Sequence, residues 1–416
     1  MPSARPHHHE ERLRIRAFGP IAEADITVRP LTVLIGPQAT GKSLTAQLLY
    51  FMRGLEELVE PEPAMPGNMV LPQGDLTDRL GKWIDRSLLN LAISPRSQVS
   101  WSALSTSPSD PEVQECTLSG IERPGFGSEV QLHGNEALRL RINQALTNPA
   151  PPSLIAEEQT YVPAGRILCS LVPPWLGLSL LSRQRLPWPG YLSMFYEKLG
   201  KAISLLPTDP AQASLFRSPA QERLTEKSRS SLRGHLSRRQ RDVQLSVQLR
   251  EYKEVVVNSA IGGGFASGQL ETWPLWTLLQ AHLPSDQIKR IFIEEPEAHL
   301  HPTAQRDTVE ALVTLLRHRF RFVLTTHSPY VLYALNNALL AGRVLRDGKP
   351  LPVGFPADFS LAPQDISAYR FTHDGQVVSL FDKETGLLDA AELDDPAAAL
   401  SAEFSDLQDA FYRDKP

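Results

Sequence analysis

Only two cysteines occur in 416 residues, Cys116 and Cys169, far apart and outside any CxxC or Cys/His cluster. Their scarcity excludes a disulfide framework and a structural zinc site, and it fits a reducing compartment. No uninterrupted apolar run reaches the roughly 18 residues of a membrane span, and the start, MPSARPHHHEERLRIRAF, has no apolar segment of secretion-signal type. The expectation is a cytoplasmic protein with no membrane partner. Positive charge is not in excess: 42 Lys and Arg stand against 47 Asp and Glu, a formal charge of -5, so nucleic acid would have to be met by a local patch. No internal repeat is found, and heptads are not sustained, which excludes a long coiled-coil arm. The run His7, His8, His9 has no scaffold to hold a metal geometry and reads as a tail.

What is present begins with an apolar share of 42%, enough for a buried core in two or three domain-sized units. Leu31 to Ile35 is a strand-like aliphatic run, and LTAQLLYFM from Leu44 onward is helix-compatible and apolar on one side. Between them Gly36-Pro37-Gln38-Ala39-Thr40-Gly41-Lys42-Ser43 matches the G-x-x-x-x-G-K-[ST] phosphate loop. Glycines let backbone N–H groups curl around phosphate oxygens, and the helix behind directs its positive end at the anion. Lys42 is then the ligand of the outer phosphates, and the Ser43 hydroxyl a ligand of magnesium.

Far downstream, Arg290-Ile291-Phe292-Ile293 delivers two adjacent acids, Glu294 and Glu295, to the carboxyl end of a second strand, where open parallel sheets bind ligands. Glu294 is expected to hold magnesium and Glu295 to orient or deprotonate the attacking water. A third buried-strand pattern, Arg321 to Thr326, ends in His327, whose imidazole suits the sensing of a third phosphate. Ahead of the acids, the glycine-rich stretch from Gly262 leads through Ser267, Gly268 and Gln269 into a helical pattern, a second anion site at a helix start.

Taken together, GPQATGKS, ASGQLE, IFIEEPEAHLHP and VLTTHSP resemble the nucleotide site of ABC-type ATPases, in the group of SMC, RecF and OLD-like proteins, and specifically a stand-alone OLD-like ATPase without a Toprim domain. LRIRAFGPI is similar to the first strand and turn of those heads, and Tyr161 to Arg166 to their Pro-Ala-x-Arg segment. The resemblance implies ATP and Mg2+ as ligands and a homodimer, or a higher oligomer, in which Ser267, Gly268 and Gln269 of one protomer close over nucleotide held by the other. It places Ala298 to Pro302 at the protomer contact and Arg166 near the nucleotide or that contact. It also implies a separately encoded effector, a nuclease or toxin, in anti-phage defence. The metal position carries Glu294 where Asp is usual, and no Q-loop glutamine is identifiable.

The fold class expected is α/β: a P-loop NTPase with an ABC/SMC-head-like mixed sheet, a β-rich lobe and an inserted helical subdomain. Residues 12–60 form the first part of the core and 61–150 a helical and β-rich lobe, with an amphipathic helix over Asp75 to Ala92. Residues 151–254 form a helical insertion, 255–345 the second part of the core, and 346–416 a β-hairpin, signalled by Asp374-Gly375, with a helical cap. Residues 217–241 carry an excess of Arg and Lys, a basic helical arm able to meet nucleic-acid phosphates. The function expected is an ATP-hydrolysing switch; the alternatives are a RecF-like DNA-binding repair ATPase and a nucleotide-binding scaffold with negligible turnover.

Overall fold

The computed structural model describes residues 11–54, 94–104, 113–123, 127–136, 157–166, 190–206, 208, 218–239, 242–249, 253–258, 266–283, 287–389 and 401–408. The helix expected over 75–92 and the histidine run lie outside them.

The chain starts with a hairpin, β1 (Glu11–Phe18) and β2 (Ile21–Val28), whose alternating burial is the mark of a sheet with one face on a core. β3 (Leu31–Ile35) is buried throughout, as a central parallel strand must be, and runs through the phosphate loop into α1 (Lys42–Arg53). Next come β4 (Gln98–Leu104), β5 (Val113–Arg123), β6 (Gly127–Gly134) and β7 (Glu157–Val162). α2 (Gly190–Leu205) and α3 (Pro219–Leu232) precede β8 (Gly234–Arg239), β9 (Asp242–Leu249) and β10 (Lys253–Asn258). The last third holds α4 (Ser267–His282), β11 (Ile288–Glu294), α5 (Pro302–Leu315), β12 (Phe320–Thr326), α6 (Pro329–Arg346), β13 (Ile366–Phe371) and β14 (Val377–Ser379).

Among the described residues, three sheets result. The central one has the order β14-β13-β3-β12-β11-β7, parallel except for β14; a five-stranded antiparallel sheet runs β2-β1-β4-β5-β6; a three-stranded one runs β10-β9-β8. The central sheet divides the core by strand alternation. Leu31, Val33, Ile35, Ile291, Ile293, Phe322 and Leu324 face one cluster with α2, α4, α5 and α6. Leu34, Phe292 and Val323 face the other, with α1 and the five-stranded sheet. Across this second cluster Tyr50 of α1 sets its ring edgewise, 5.3 Å from both Tyr161 and Phe292. A buried polar knot joins the same layers: Glu11 pairs with Arg53 and accepts a 2.8 Å bond from the Trp101 indole N–H.

The structure departs from the expected organisation in three places. β7, expected within a helical insertion, is the edge strand of the central sheet beside β11. Gly234–Arg239, Asp242–Leu249 and Lys253–Asn258 form strands and not helices. β13, expected as part of a terminal cap, pairs in parallel with β3 in the middle of the sheet, although its turn to β14 is the expected hairpin.

The stretch 217–241, expected as one basic helical arm, holds a helix and then a strand. α3 is capped by Ser218, ends at Arg233 in the left-handed region, and continues as β8. It lies against α4 and α5 with Leu224, Ser228 and Leu232 buried. Lys227 pairs with Glu310 at 2.8 Å and Asp307 at 3.4 Å, and Arg223 with Asp358. Two of its cations are thus answered by acids of the same chain. Among the described residues no helix is long and apolar enough to cross a membrane.

Candidate functional site

Strand β3 ends at Gly36, whose φ of 146° and neighbours both demand glycine: a Cβ there would lie 2.3 Å from the Phe371 carbonyl oxygen of β13. Ala39 and Gly41 follow at φ 61° and 99°, and a Cβ on Gly41 would meet Ile21 at 2.6 Å. Left-handed residues between right-handed ones turn successive amides inward, the geometry of an anion nest. Helix α1 then starts with no side-chain cap and no acid in its first turn, so its amides and dipole are directed to the loop. Pro37, Gln38 and Ala39 are exposed, whereas Thr40 is buried and donates its hydroxyl to the Pro37 carbonyl at 2.9 Å. The Lys42 ammonium also bonds the Pro37 carbonyl. Burial pulls its pKa down to about 8, opposed by the negative charges of Glu295 and Glu297. Ser43, next to it, is partly exposed.

The acid strand brings its residues to the same place. Glu294 is buried, one carboxylate oxygen accepting from the Tyr161 hydroxyl at 2.7 Å and the other from the Ala164 N–H at 2.8 Å. Glu295 sits in the left-handed region, φ 46°, with its N–H donating to the Thr325 carbonyl at 2.8 Å. Its carboxylate lies 3.1 Å from His327 Nε2. That hydrogen bond, chiefly, holds the carboxyl below its ordinary range; the charges of Arg166 and Lys42 add to it, against burial. Lys42, Glu295 and His327, drawn from three strand ends, therefore form one electrostatic unit.

Sequence reasoning missed what frames this unit. Glu297 Oε1 accepts from the Thr326 hydroxyl at 2.5 Å and from the His327 N–H at 2.8 Å, fixing the turn that presents the imidazole. Its Oε2 is buried with no hydrogen-bond partner, within the field that Lys42 feels. Its signal in the sequence was a third acid two residues past Glu295, in a stretch that reads as an ordinary helix approach. Tyr161 and Ala164, which grip Glu294, came from a segment read only for its Pro-Ala-x-Arg pattern.

At the start of α4, Ser267 is exposed and Gly268 half-buried, with no hydrogen bond from Ser267 to the phosphate loop among the described residues. A Cβ on Gly268 would be 2.7 Å from the His299 carbonyl oxygen, so the helix start and the loop after β11 pack backbone to backbone. Gln269, expected as a nucleotide contact, turns back instead: its Oε1 accepts from the Ala266 N–H at 2.9 Å and its Nε2 donates to the Leu232 carbonyl at 2.7 Å. Arg166, expected near the nucleotide or at the protomer contact, is 1% exposed and bonded within the fold, against the Glu294 and Glu295 carbonyls of the acid strand.

For magnesium, the donors present are the Ser43 hydroxyl and the Glu294 carboxylate. Each Glu294 oxygen accepts one hydrogen bond and keeps a second lone pair. Among the described residues no group of three His, Cys, Asp or Glu side chains could cage a metal. Hard oxygens, few in number, fit a cation that retains waters and takes phosphate oxygens.

Fold and site define a P-loop α/β protein whose phosphate-loop motif faces an acid–histidine pair. Residues 280–332, from the end of α4 to the start of α6, match the family model described as AAA ATPase domain. No curated protein matches the sequence. Among solved structures, the chain is similar to an SMC head bound to the C-winged helix domain of ScpA, at 14% identity and a TM-score of 0.42, covering 91% of this chain and 100% of that one. It is similar also to an Smc head with an extended coiled coil bound to the C-terminal domain of ScpA from Pyrococcus furiosus, at 13% identity and a TM-score of 0.45, covering 89% and 96%. A third is the recombination mediator RecF with ATP, at 10% identity and a TM-score of 0.37, covering 89% and 99%.

Proposed function

We propose that this chain binds and hydrolyses ATP, dimerises around the nucleotide, and uses that cycle to switch a partner protein. The observation that carries the reading is the Glu295–His327 contact of 3.1 Å set in the field of Lys42. In this mechanism the loop amides and Lys42 hold the β- and γ-phosphates. Glu295, ionised, accepts a hydrogen bond from a water and orients it in line with the γ-phosphorus. The water oxygen bonds to phosphorus as the bond to the bridging oxygen breaks, its electron pair leaving with ADP and the water's protons passing to phosphate and solvent. His327 is placed to bond the γ-phosphate, so it reports whether that group is present. Magnesium, when held by Ser43 and Glu294, supplies charge neutralisation on the phosphate oxygens.

The exposure of Ser267, with Gly268 half-buried beside it, supports their use in trans, over nucleotide bound by a second copy. The partner, a separately encoded nuclease or toxin, and a role in anti-phage defence rest on the resemblance of the motifs. A second reading is a scaffold that binds ATP with negligible turnover. Glu295→Gln separates the two. A hydrolase variant retains ATP and accumulates dimers by sedimentation, whereas a scaffold behaves as before. Lys42→Ala abolishes ATP binding in a titration; unchanged affinity rejects both readings.

A further inference from the structure

Arg166 follows β7 and is buried to 1% exposure, yet its guanidinium reaches three separate parts of the fold. Its Nε–H donates to the Glu271 carbonyl of α4 at 2.6 Å. Nη1 donates to the Pro163 carbonyl at 2.9 Å and to the Glu294 carbonyl at 2.6 Å, and Nη2 to the Glu295 carbonyl at 2.9 Å. The Glu271 carboxylate stands 3.8 Å from Nε. A buried guanidinium spread over four main-chain carbonyls spends its charge on holding backbones in register, and its planar fork does so with little freedom.

Two of those backbones matter for chemistry. Glu271 lies one turn along α4 from Ser267 and Gly268, and the Thr272 hydroxyl ties the same turn to the Gly268 carbonyl at 2.5 Å. Glu295 is a non-glycine residue at φ 46°, a conformation that costs about 1–2 kcal/mol and persists only where its surroundings impose it. Those surroundings are its N–H on Thr325 and its carbonyl on Arg166. The peptide groups on both sides of the Glu295 Cα are thus pinned, and one of the pins is shared with α4.

We propose that Arg166 is a positioning residue that joins the exposed start of α4 to the hydrolytic carboxylate, so that a second copy engaging Ser267 and Gly268 changes the placement of Glu295 through the Glu271 and Glu295 carbonyls. The inference rests on the ATPase reading above and assigns the site its internal link between dimer closure and cleavage. Arg166 touches neither water nor phosphate in this scheme. Lysine offers one ammonium where the fork serves four carbonyls, so charge alone does not replace it.

The test measures ATP affinity and turnover separately, on the full chain, for wild type, Arg166→Lys, Arg166→Ala and Glu271→Gln. The expected result is ATP affinity within about threefold of wild type in all three, with kcat falling about a hundredfold in Arg166→Ala, about tenfold in Arg166→Lys and a few-fold in Glu271→Gln. Wild-type kcat in Arg166→Lys overturns the proposal, as does an equal loss of affinity and rate. Amide hydrogen exchange supplies a readout independent of turnover, and Arg166→Lys and Glu271→Gln keep it usable if the alanine variant does not fold. Segments 266–272 and 294–298 should gain exchange together in Arg166→Lys while 31–35 does not; a response confined to one segment overturns the link. Absence of turnover in wild type, by contrast, sinks the ATPase reading and leaves the exchange experiment to decide the link.

Discussion

Gly36→Ala is the sharpest perturbation of the phosphate loop that the structure offers. The new Cβ would lie 2.3 Å from the Phe371 carbonyl oxygen, about 0.7 Å inside the 3.0 Å below which real Cβ contacts essentially never occur, and 3.2 Å from two further Phe371 atoms. Neither partner yields easily. Phe371 closes β13 one residue past Arg370, which pairs with Ile35, the residue just before Gly36. The φ of 146° adds a strain of about 1–3 kcal/mol for a residue with a side chain, and the overlap about 1–3 kcal/mol more. The sum, about 2–6 kcal/mol, falls where the loop amides must meet phosphate. A shift of that size should weaken ATP binding about tenfold to a hundredfold. Gly348→Ala is the control: its φ of 69° is also left-handed, but a Cβ there meets nothing within 4 Å. It should lose only about 1 kcal/mol and bind ATP as wild type does. Chemical denaturation and ATP titration of both variants decide the matter. If Gly36→Ala matches Gly348→Ala in stability, or binds ATP with wild-type affinity, the argument that β13 fixes the loop is refuted.

Ser267→Arg should leave ATP affinity intact and prevent nucleotide-dependent dimers; dimers persisting in sedimentation with Glu295→Gln as background would reject the use of α4 in trans. Glu11→Ala removes the acid from the buried Arg53 and from the Trp101 indole, and unfolding should become easier by about 3–5 kcal/mol, read by denaturant titration. His282 is held neutral by burial, with Lys289 adding to the effect, and its pKa is brought down to about 4. Between that value and the ordinary 6.5 the unfolded chain takes up a proton that the folded one refuses. Stability therefore falls as pH drops through this window, by up to about 3 kcal/mol. His282→Gln should flatten the pH dependence there, and an unchanged slope would contradict the assignment.

The local chemistry of the site was legible in the sequence because it is carried by short contiguous patterns. A strand, a glycine-bounded loop and a helix start in immediate succession define the phosphate loop. Glu294, Glu295 and His327 each follow an aliphatic run that only a buried parallel strand explains. What was not legible is pairing over distance. β13 reads as one arm of a hairpin, which it is, but its other neighbour, β3, lies at the opposite end of the chain. β7, EEQTYV, is mostly polar although Gln159 and Thr160 are buried, so its membership of the central sheet left no clear mark. For Arg166 the motif resemblance gave a neighbourhood, the nucleotide or the protomer contact, but not its bonding. Its four carbonyl partners come from segments up to 129 positions away. The charge excess of 217–241 suggested an outward partner, yet Asp307, Glu310 and Asp358 answer part of it from later in the chain.

The place of β13 beside β3 has a consequence for biosynthesis. The strand that presents the phosphate loop, Leu31–Ile35, leaves the ribosome long before the two strands that flank it, Phe320–Thr326 and Ile366–Phe371. A nascent chain that has not reached Phe371 lacks the backbone against which Gly36 rests, so nucleotide capture must wait for that segment to emerge. A message truncated between Ser328 and Ile366 would yield a polypeptide carrying the phosphate loop, the acid pair and His327 without the strand that fixes the loop.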